Sequence, residues 1–269
     1  MSSIQSALND FASLDALSTR QTALSGLDPR AKILATMGFV IAVVSFDRYT
    51  IAALLPFALF PVLIAALGEV PLKAIGAKIL VAAPFAIMVG IFNPLMDHRP
   101  IFEIIGISVS GGWASFASIL IRFALTVAAA LVLVATTGFH QICVGLARLG
   151  IPQVFTTQLL FMHRYSLVLA GEVGRMNLAR ELRGGAKSLP LTVYGPMLGH
   201  LLLRAMDRSH RIYQAMISRG FSGEMRSSRV LKWRATDSMF LAMCWVCFVG
   251  ARHFDLSHLL GAILMGQVF

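Results

Sequence analysis

The chain has 269 residues, of which 57% are apolar and 13% charged, and its mean hydropathy is +0.75. Soluble domains carry about 45–50% apolar and about 25% charged residues, so disorder, a nucleic-acid-binding module and an ordinary cytosolic enzyme are excluded and a polytopic membrane protein is indicated. The net charge of +10 is localised: residues 138–234 hold 14 Lys and Arg against 4 Asp and Glu, while the rest of the chain balances. A basic excess beside apolar spans marks a cytoplasmic face.

Residues 1–26 are polar, contain Arg20 as the one base, and lack the paired charged and apolar regions of a cleaved signal peptide. They read as a cytoplasmic amino-terminal arm. Asp28-Pro29-Arg30-Ala31-Lys32 then starts a helix. Asp28 is placed to cap, Pro29 suits the first helical position, and the two bases are placed to snorkel toward headgroups. Four apolar spans follow over 31–46, 50–67, 79–96 and 113–137, so that residues 27–137 form one transmembrane block. Pro56 and Pro61 bend the second span, and Pro84 and Gly90 lie inside the third.

Asp47-Arg48 turns between the first two spans, and 97–112 form a polar outer loop with an extended piece over 107–110 and a Gly111-Gly112 turn. Arg122 sits near the middle of the fourth span. A charge at mid-bilayer costs about 2.5–3.5 kcal/mol on insertion scales, so Arg122 is expected to face the bundle interior or water. Its residue type leaves function and structural pairing equally open.

The period changes at Gly138. A short amphipathic helix over 139–149 precedes Pro152. An apolar stretch over 155–173 carrying His163-Arg164 continues as a basic amphipathic helix through Arg183, ended by Gly184-Gly185. A second amphipathic helix over 198–219 carries Arg204, Arg208 and Arg211 on one side and Leu202, Met206, Ile212, Tyr213 and Met216 on the other. Residues 138–234 thus form a basic cytoplasmic region, with 221–234 as its closing turn. Residues 235–269 contain a fifth span over 237–251 and an apolar segment over 256–268 that crosses the membrane or lies at its surface. The fold class is all-α: five or six transmembrane helices with a cytoplasmic domain of amphipathic helices. An inside amino terminus puts Arg30, Lys32, Lys73, Lys78 and the 138–234 block on the cytoplasmic side, as the positive-inside bias requires.

Several sites can be set aside. Cys143, Cys244 and Cys247 form no disulfide framework. Cys244-Trp-Val-Cys247 has redox spacing but lies in an apolar run without a neighbouring base to hold a thiolate, so buried packing is expected. The seven His have no H-x3-H or HExxH spacing. His98 is expected to be solvated in its loop, and His163 to be packed at the membrane interface. Gly184-Gly185-Ala186-Lys187-Ser188 lacks the glycine before Lys and the preceding strand of a phosphate-binding loop. No Ser/His/Asp set or paired carboxylate stands out.

One pattern rises above this background. Arg175-Met-Asn-Leu-Ala179-Arg-Glu-Leu-Arg183-Gly184 is repeated 36 residues later as Arg211-Ile-Tyr-Gln-Ala215-Met-Ile-Ser-Arg219-Gly220. The shared pattern is R-x3-A-x3-R-G. Spacing of four puts Arg, Ala and Arg on one helical face, and the terminal Gly leaves the last Arg at a helix end. A single copy reads as helix capping with dipole compensation. Two copies suggest two equivalent acceptors, such as a two-fold dimer supplies; for a membrane permease that dimer is a pair of nucleotide-binding ATPase subunits.

These residues, with Leu27-Asp28-Pro29-Arg30-Ala31-Lys32, Thr136-Thr137 and His163-Arg164-Tyr165, give the sequence a resemblance along nearly its whole length to the transmembrane coupling (T) component of energy-coupling factor (ECF) transporters, cobalt-type CbiQ group. Where that family has Ala-Arg-Gly signatures this chain has Leu182-Arg183-Gly184 and Ser218-Arg219-Gly220, keeping the Arg-Gly core. The resemblance implies that Arg183 and Arg219 end two crossed coupling helices, each pairing with a carboxylate in a groove of one ATPase subunit. Bidentate guanidinium–carboxylate geometry suits that contact. It further implies two ATPase partners, a separate substrate-binding membrane subunit, and a multi-pass location in a bacterial-type inner membrane.

No cofactor is expected on this chain: ATP and Mg belong to the ATPases, and the cobalt ion to the binding subunit. Cobalt is preferred, with nickel or a vitamin as the alternative cargo. Readings from other classes are an intramembrane lipid-modifying enzyme and a stand-alone secondary transporter. The first would need acidic or His residues at the membrane boundary, where the acidic inventory is limited to Glu172, Glu181 and Asp207, and the second would need related halves that are not seen.

Overall fold

The computed structural model describes residues 22, 24–47, 52–96, 100–104, 107–184, 191–221 and 232–253. Arg48, the outer-loop residues 97–99 with His98, Gly185, most of the basic turn over 221–234, nearly all of the amino-terminal arm and the apolar segment over 256–268 lie outside them. The described residues fall into two compact units. One is built from helices that follow Gly138; the other contains the preceding helices and the last one.

In the larger unit, α1 (Pro29–Val44) begins as the sequence requires. The Asp28 side chain accepts from the Arg30 backbone N–H and Pro29 occupies the first turn. Two 3-10 turns (Ala52–Leu54 and Pro56–Ala58) lead into α2 (Leu59–Leu67). The expected span over 50–67 is therefore not one bent helix. Pro56 opens the second 3-10 turn and Pro61 falls in the first turn of α2, the places where a missing N–H is tolerated. Next come α3 (Leu72–Gly90), a short α4 (Phe92–Met96), and an antiparallel hairpin of β1 (Pro100–Ile104) and β2 (Ile107–Ser110), paired Phe102 to Val109 and Ile104 to Ile107.

The extended piece over 107–110 is thus present as β2, and a hairpin is added to an otherwise helical chain. Gly111-Gly112 is not a turn: α5 (Gly111–Thr137) starts directly at Gly111, and both glycines are buried. The unit closes with α9 (Ala235–His253), whose label leaves α6 to α8 for the other unit. Among the described residues, two helices are long and apolar enough to cross a membrane, Leu72–Pro94 and Gly111–Thr137. At about 1.5 Å per residue, α1 reaches only about 24 Å, short of a core of about 30 Å.

The core gathers around Phe39. Its ring stacks on Phe60 at 4.7 Å and lies 6.0 Å from Phe57 and 5.7 Å from Phe248. Ala35, Val43, Leu54, Leu125, Ala129 and Cys244 complete the cluster, so α1, the 3-10 turns, α5 and α9 converge there. Cys244 is packed as expected, whereas Cys247 is exposed. Outside the core the apolar residues are bare: Leu80, Val81 and Phe85 on α3 are 74%, 83% and 68% exposed. Such a surface suits lipid and is unfavourable in water.

The two bases of the first motif do not behave alike. Arg30 folds back onto Asp28 as a bidentate pair, at 3.1 and 3.0 Å. Lys32 does not snorkel. It is buried and donates to the Thr136 carbonyl at the end of α5, at 3.2 Å. Arg122 donates through its Nη2 to the Asp47 carbonyl just after α1, while its buried Nε has no hydrogen-bond partner. Arg122 thus stands level with the far end of α1.

In the smaller unit, α6 (Phe139–Arg148) is followed by the long helices α7 (Gln153–Gly184) and α8 (Leu191–Ser218). The apolar and basic stretches after Pro152 are one 32-residue helix. The second amphipathic helix starts at Leu191 rather than after Pro196, which falls inside its second turn. His163 stacks on Phe139 at 4.4 Å, in keeping with a packing role. Burial pushes the Cys143 thiol up to about 11, so this group stays protonated at neutral pH.

Helix contacts in the larger unit leave little room at chosen glycines. A Cβ on Gly90 would lie 2.8 Å from the Phe116 ring, whereas one on Gly76 meets nothing within 4 Å. Gly90→Ala is expected to destabilise the chain by about 1–3 kcal/mol through overpacking. Gly76→Ala is expected to be neutral or to stabilise by about 0.5–1 kcal/mol. Thermal unfolding of both variants in the same detergent checks the contrast.

Candidate functional site

The repeated motif lies wholly in the smaller unit, one copy on each long helix. In the first copy, Arg175, Ala179 and Arg183 share a face of α7, as spacing of four requires, and that face lines a groove of about 660 Å³. Across the groove stand Val193, Met197, His200 and Arg204 of α8. Glu172 joins the two sides: its carboxylate accepts from Arg175 on its own helix and from Arg204 on the other. The two guanidiniums hold the Glu172 carboxyl below the usual carboxylate range, the Arg175 hydrogen bond contributing most.

The end of this copy is open. Arg183 is exposed, and among the described residues no hydrogen bond or ion pair engages it. Helix α7 runs through Gly184, so the expected stop falls at or after that residue.

The second copy has different surroundings. Arg211, Ala215 and Arg219 are all exposed, and among the described residues neither guanidinium has a partner. The stop is complete here. Gly220 has φ +79, its N–H bonds to the Ile217 carbonyl, and the Phe221 N–H reaches back to the Met216 carbonyl at 3.0 Å. This pair of bonds is a Schellman cap, which requires a left-handed residue that glycine supplies without penalty. Capping thus accounts for Gly220, but not for an arginine held at the exposed cap position.

Phe221 and Met216 also line a cleft of about 440 Å³ between α7 and α8, with Ile212, Tyr213, Phe161 and Tyr165. The surroundings of the two copies therefore differ. One copy faces a groove and shares its first arginine with Glu172. The other stands clear.

Glu172 and Arg204 were not read from the sequence as partners. The available signal was a lone acid one turn before the first motif arginine. Arg122 belongs to the larger unit and contributes nothing to this surface. Among the described residues no group of three or more His, Cys, Asp or Glu is placed to hold a metal ion.

Comparison with known proteins places this apolar helical chain among membrane transport components. Residues 20–229 match the family model described as CbiQ, cobalt transport protein, and the chain belongs to that family. It is also 26% identical over 229 residues to the uncharacterized protein MJ1571 of Methanocaldococcus jannaschii, covering 81% of this chain and 78% of that one. A second uncharacterized protein of the same organism, MJ1089, is 28% identical over 102 residues, 37% of this chain and 38% of its own.

The Glu172 bridge has a defined pH window. A carboxylate depressed in the folded state contributes in full above its ordinary value of 4.5 and loses its contribution as pH falls through the lower folded value. Spin labels at exposed Leu178 and Leu203, in a cysteine-free background, are expected to report one narrow distance from pH 8 to pH 5. Glu172→Gln is expected to broaden that distribution throughout the range.

Proposed function

We propose that this chain is the energy-coupling transmembrane subunit of an ECF-type ABC transporter for cobalt ion. In this reading it spans the inner membrane five or six times with a cytoplasmic amino terminus. Arg183 and Arg219 each insert into a groove on one of two ATPase subunits and pair with a carboxylate there. Arg175, Arg211, Ala179 and Ala215 shape the faces behind those ends, and Gly184 and Gly220 let the arginines project. ATP and Mg stay on the ATPases, and a separate membrane subunit captures the metal. Closure of the ATPase dimer moves the two helices, and their motion tilts the substrate-binding subunit against the exposed apolar helices of this chain.

The observation that carries the reading is the doubled motif, with Arg183 and Arg219 exposed near the ends of two helices within one unit. An exposed guanidinium is the group best fitted to a planar carboxylate on a partner. Membership of the cobalt transport family supports the cargo. Glu172, the acid an enzymatic reading would need most, is already bridged by two arginines.

Arg183→Glu combined with Arg219→Glu is expected to abolish metal uptake while the chain still inserts. A pull-down of tagged chain in mild detergent is expected to recover an ATPase subunit with the wild type and lose it with the double variant. Normal uptake by the variant, or no ATPase with the wild type in several detergents, overturns the proposal.

A further inference from the structure

The Asp-Pro-Arg-x-Lys motif at the start of α1 lies apart from the paired Arg-Gly ends, yet it belongs to a polar cluster with a buried centre in the larger unit. Asp237, 1% exposed, is its centre. One carboxylate oxygen accepts from the Arg234 backbone N–H at 2.8 Å, and the other from the Asp28 backbone N–H at 2.8 Å. Arg234 and Asp28 are the residues that immediately precede α9 and α1. A single side chain therefore closes the amino ends of two helices, doing for α9 what the acidic member of a capping box does and repeating it for α1. Both helix dipoles direct their positive ends at this anion.

The cluster extends both ways. Asp28 holds Arg30, whose guanidinium lies 5.4 Å over the Trp233 ring. One turn into α1, Lys32 donates to the Thr136 carbonyl in the last turn of α5. Directly after that turn, Gly138 (φ +80) ends the helix with its N–H on the Val134 carbonyl at 2.8 Å.

These contacts gather at a particular place in the chain. The polypeptide leaves the larger unit after Gly138, forms the motif helices, and returns before Trp233. The outgoing strand is held through Thr136 by Lys32, and the returning strand through Trp233 and Arg234 by Arg30 and Asp237. All of the holding groups sit on or beside the first turn of α1.

We propose that Asp28, Lys32 and Asp237 are positioning residues for energy coupling: they tie both covalent connections of the motif-bearing unit to the amino end of α1, so that displacement of that unit is delivered to the membrane helices at one rigid point. The coupling role rests on the function proposed above. The tie itself does not. Removing the Asp237 carboxylate leaves the buried Asp28 N–H and the partly buried Arg234 N–H, at the starts of helices far apart in sequence, without their acceptor, so loosening is felt at both.

Two measurements test this. In the isolated chain in detergent, Asp237→Ala is expected to speed hydrogen exchange at least tenfold in peptides covering both 24–31 and 232–238. A purely local cap would release only the second, and that result overturns the tie. In the assembled complex in liposomes, Asp237→Ala and Lys32→Met are expected to keep ATP hydrolysis near the wild-type rate while metal taken up per ATP falls at least fivefold. A misfolded chain would instead lose assembly and hydrolysis together.

An unchanged uptake-to-ATP ratio overturns the coupling role. If the wild-type complex shows no ATP-driven uptake, the proposed function and the coupling role fall together, and the exchange experiment still decides the tie. Should Asp237→Ala fail to insert, Asp237→Asn, which keeps one acceptor oxygen, replaces it in both assays with the same expected direction.

Discussion

A cation inside an apolar helix bundle must find oxygen, and this requirement sets the register of α1 against α5. Lys32 near the start of α1 takes the carbonyl of Thr136 at the end of α5, and Arg122 within α5 takes the carbonyl of Asp47 after the end of α1. The stretches between these contacts, from Lys32 to Asp47 and from Arg122 to Thr136, are nearly equal at roughly 21–22 Å of helix. Sliding these antiparallel helices by a turn would strand the buried Lys32 ammonium and break the Arg122 contact. Between the pins sits the Phe39 cluster, which can be close-packed because the register is fixed. The core is thus a consequence of the polar contacts as much as their support.

The parts legible in the sequence are those governed by local chemistry. Asp28-Pro29 announced a helix start because cap and first-turn preferences act over a few residues. Gly220 announced a stop because a left-handed position admits glycine readily, and the length of α5 followed from an unbroken apolar run. What escaped was set by distance in the chain. Asp237 and Asp28 are separated by 209 positions, and nothing in either neighbourhood specifies the other. Lys32 was expected at the headgroups because a long flexible cation near a helix end usually reaches water. Here the end of α5 stands in the way and offers a carbonyl instead. The second span misled for a related reason: apolar composition is continuous through 50–67, but Pro56 and Pro61 decide locally that the backbone turns as 3-10 before it becomes α.

The candidate surface divides along the same line. Helical periodicity dictates that Arg, Ala and Arg of each copy share a face, and this needs no structure to establish. What the face meets depends on how α7 and α8 cross, and there the two copies part. In the first, Glu172 holds Arg175 on its own helix and reaches Arg204 on α8, so the acid bridges the helix pair while the outer Arg183 stays exposed. The second lies beside a cleft lined by Ile212, Met216 and Phe221, and its basic face is exposed.

That difference bears on how such a pair would work in the proposed role. An ion-pair brace at a largely exposed site is weak and adjustable, whereas a Schellman cap sealed by Phe221 fixes the direction in which its helix ends. A symmetric ATPase dimer would present equal grooves to two unequal surroundings, and the exposed Glu172 bridge is the more adjustable contact. In that role, motion would pass out of the unit through its two covalent connections. With both connections tied beside the first turn of α1, an uneven displacement of the helices would reach the membrane helices as a single one.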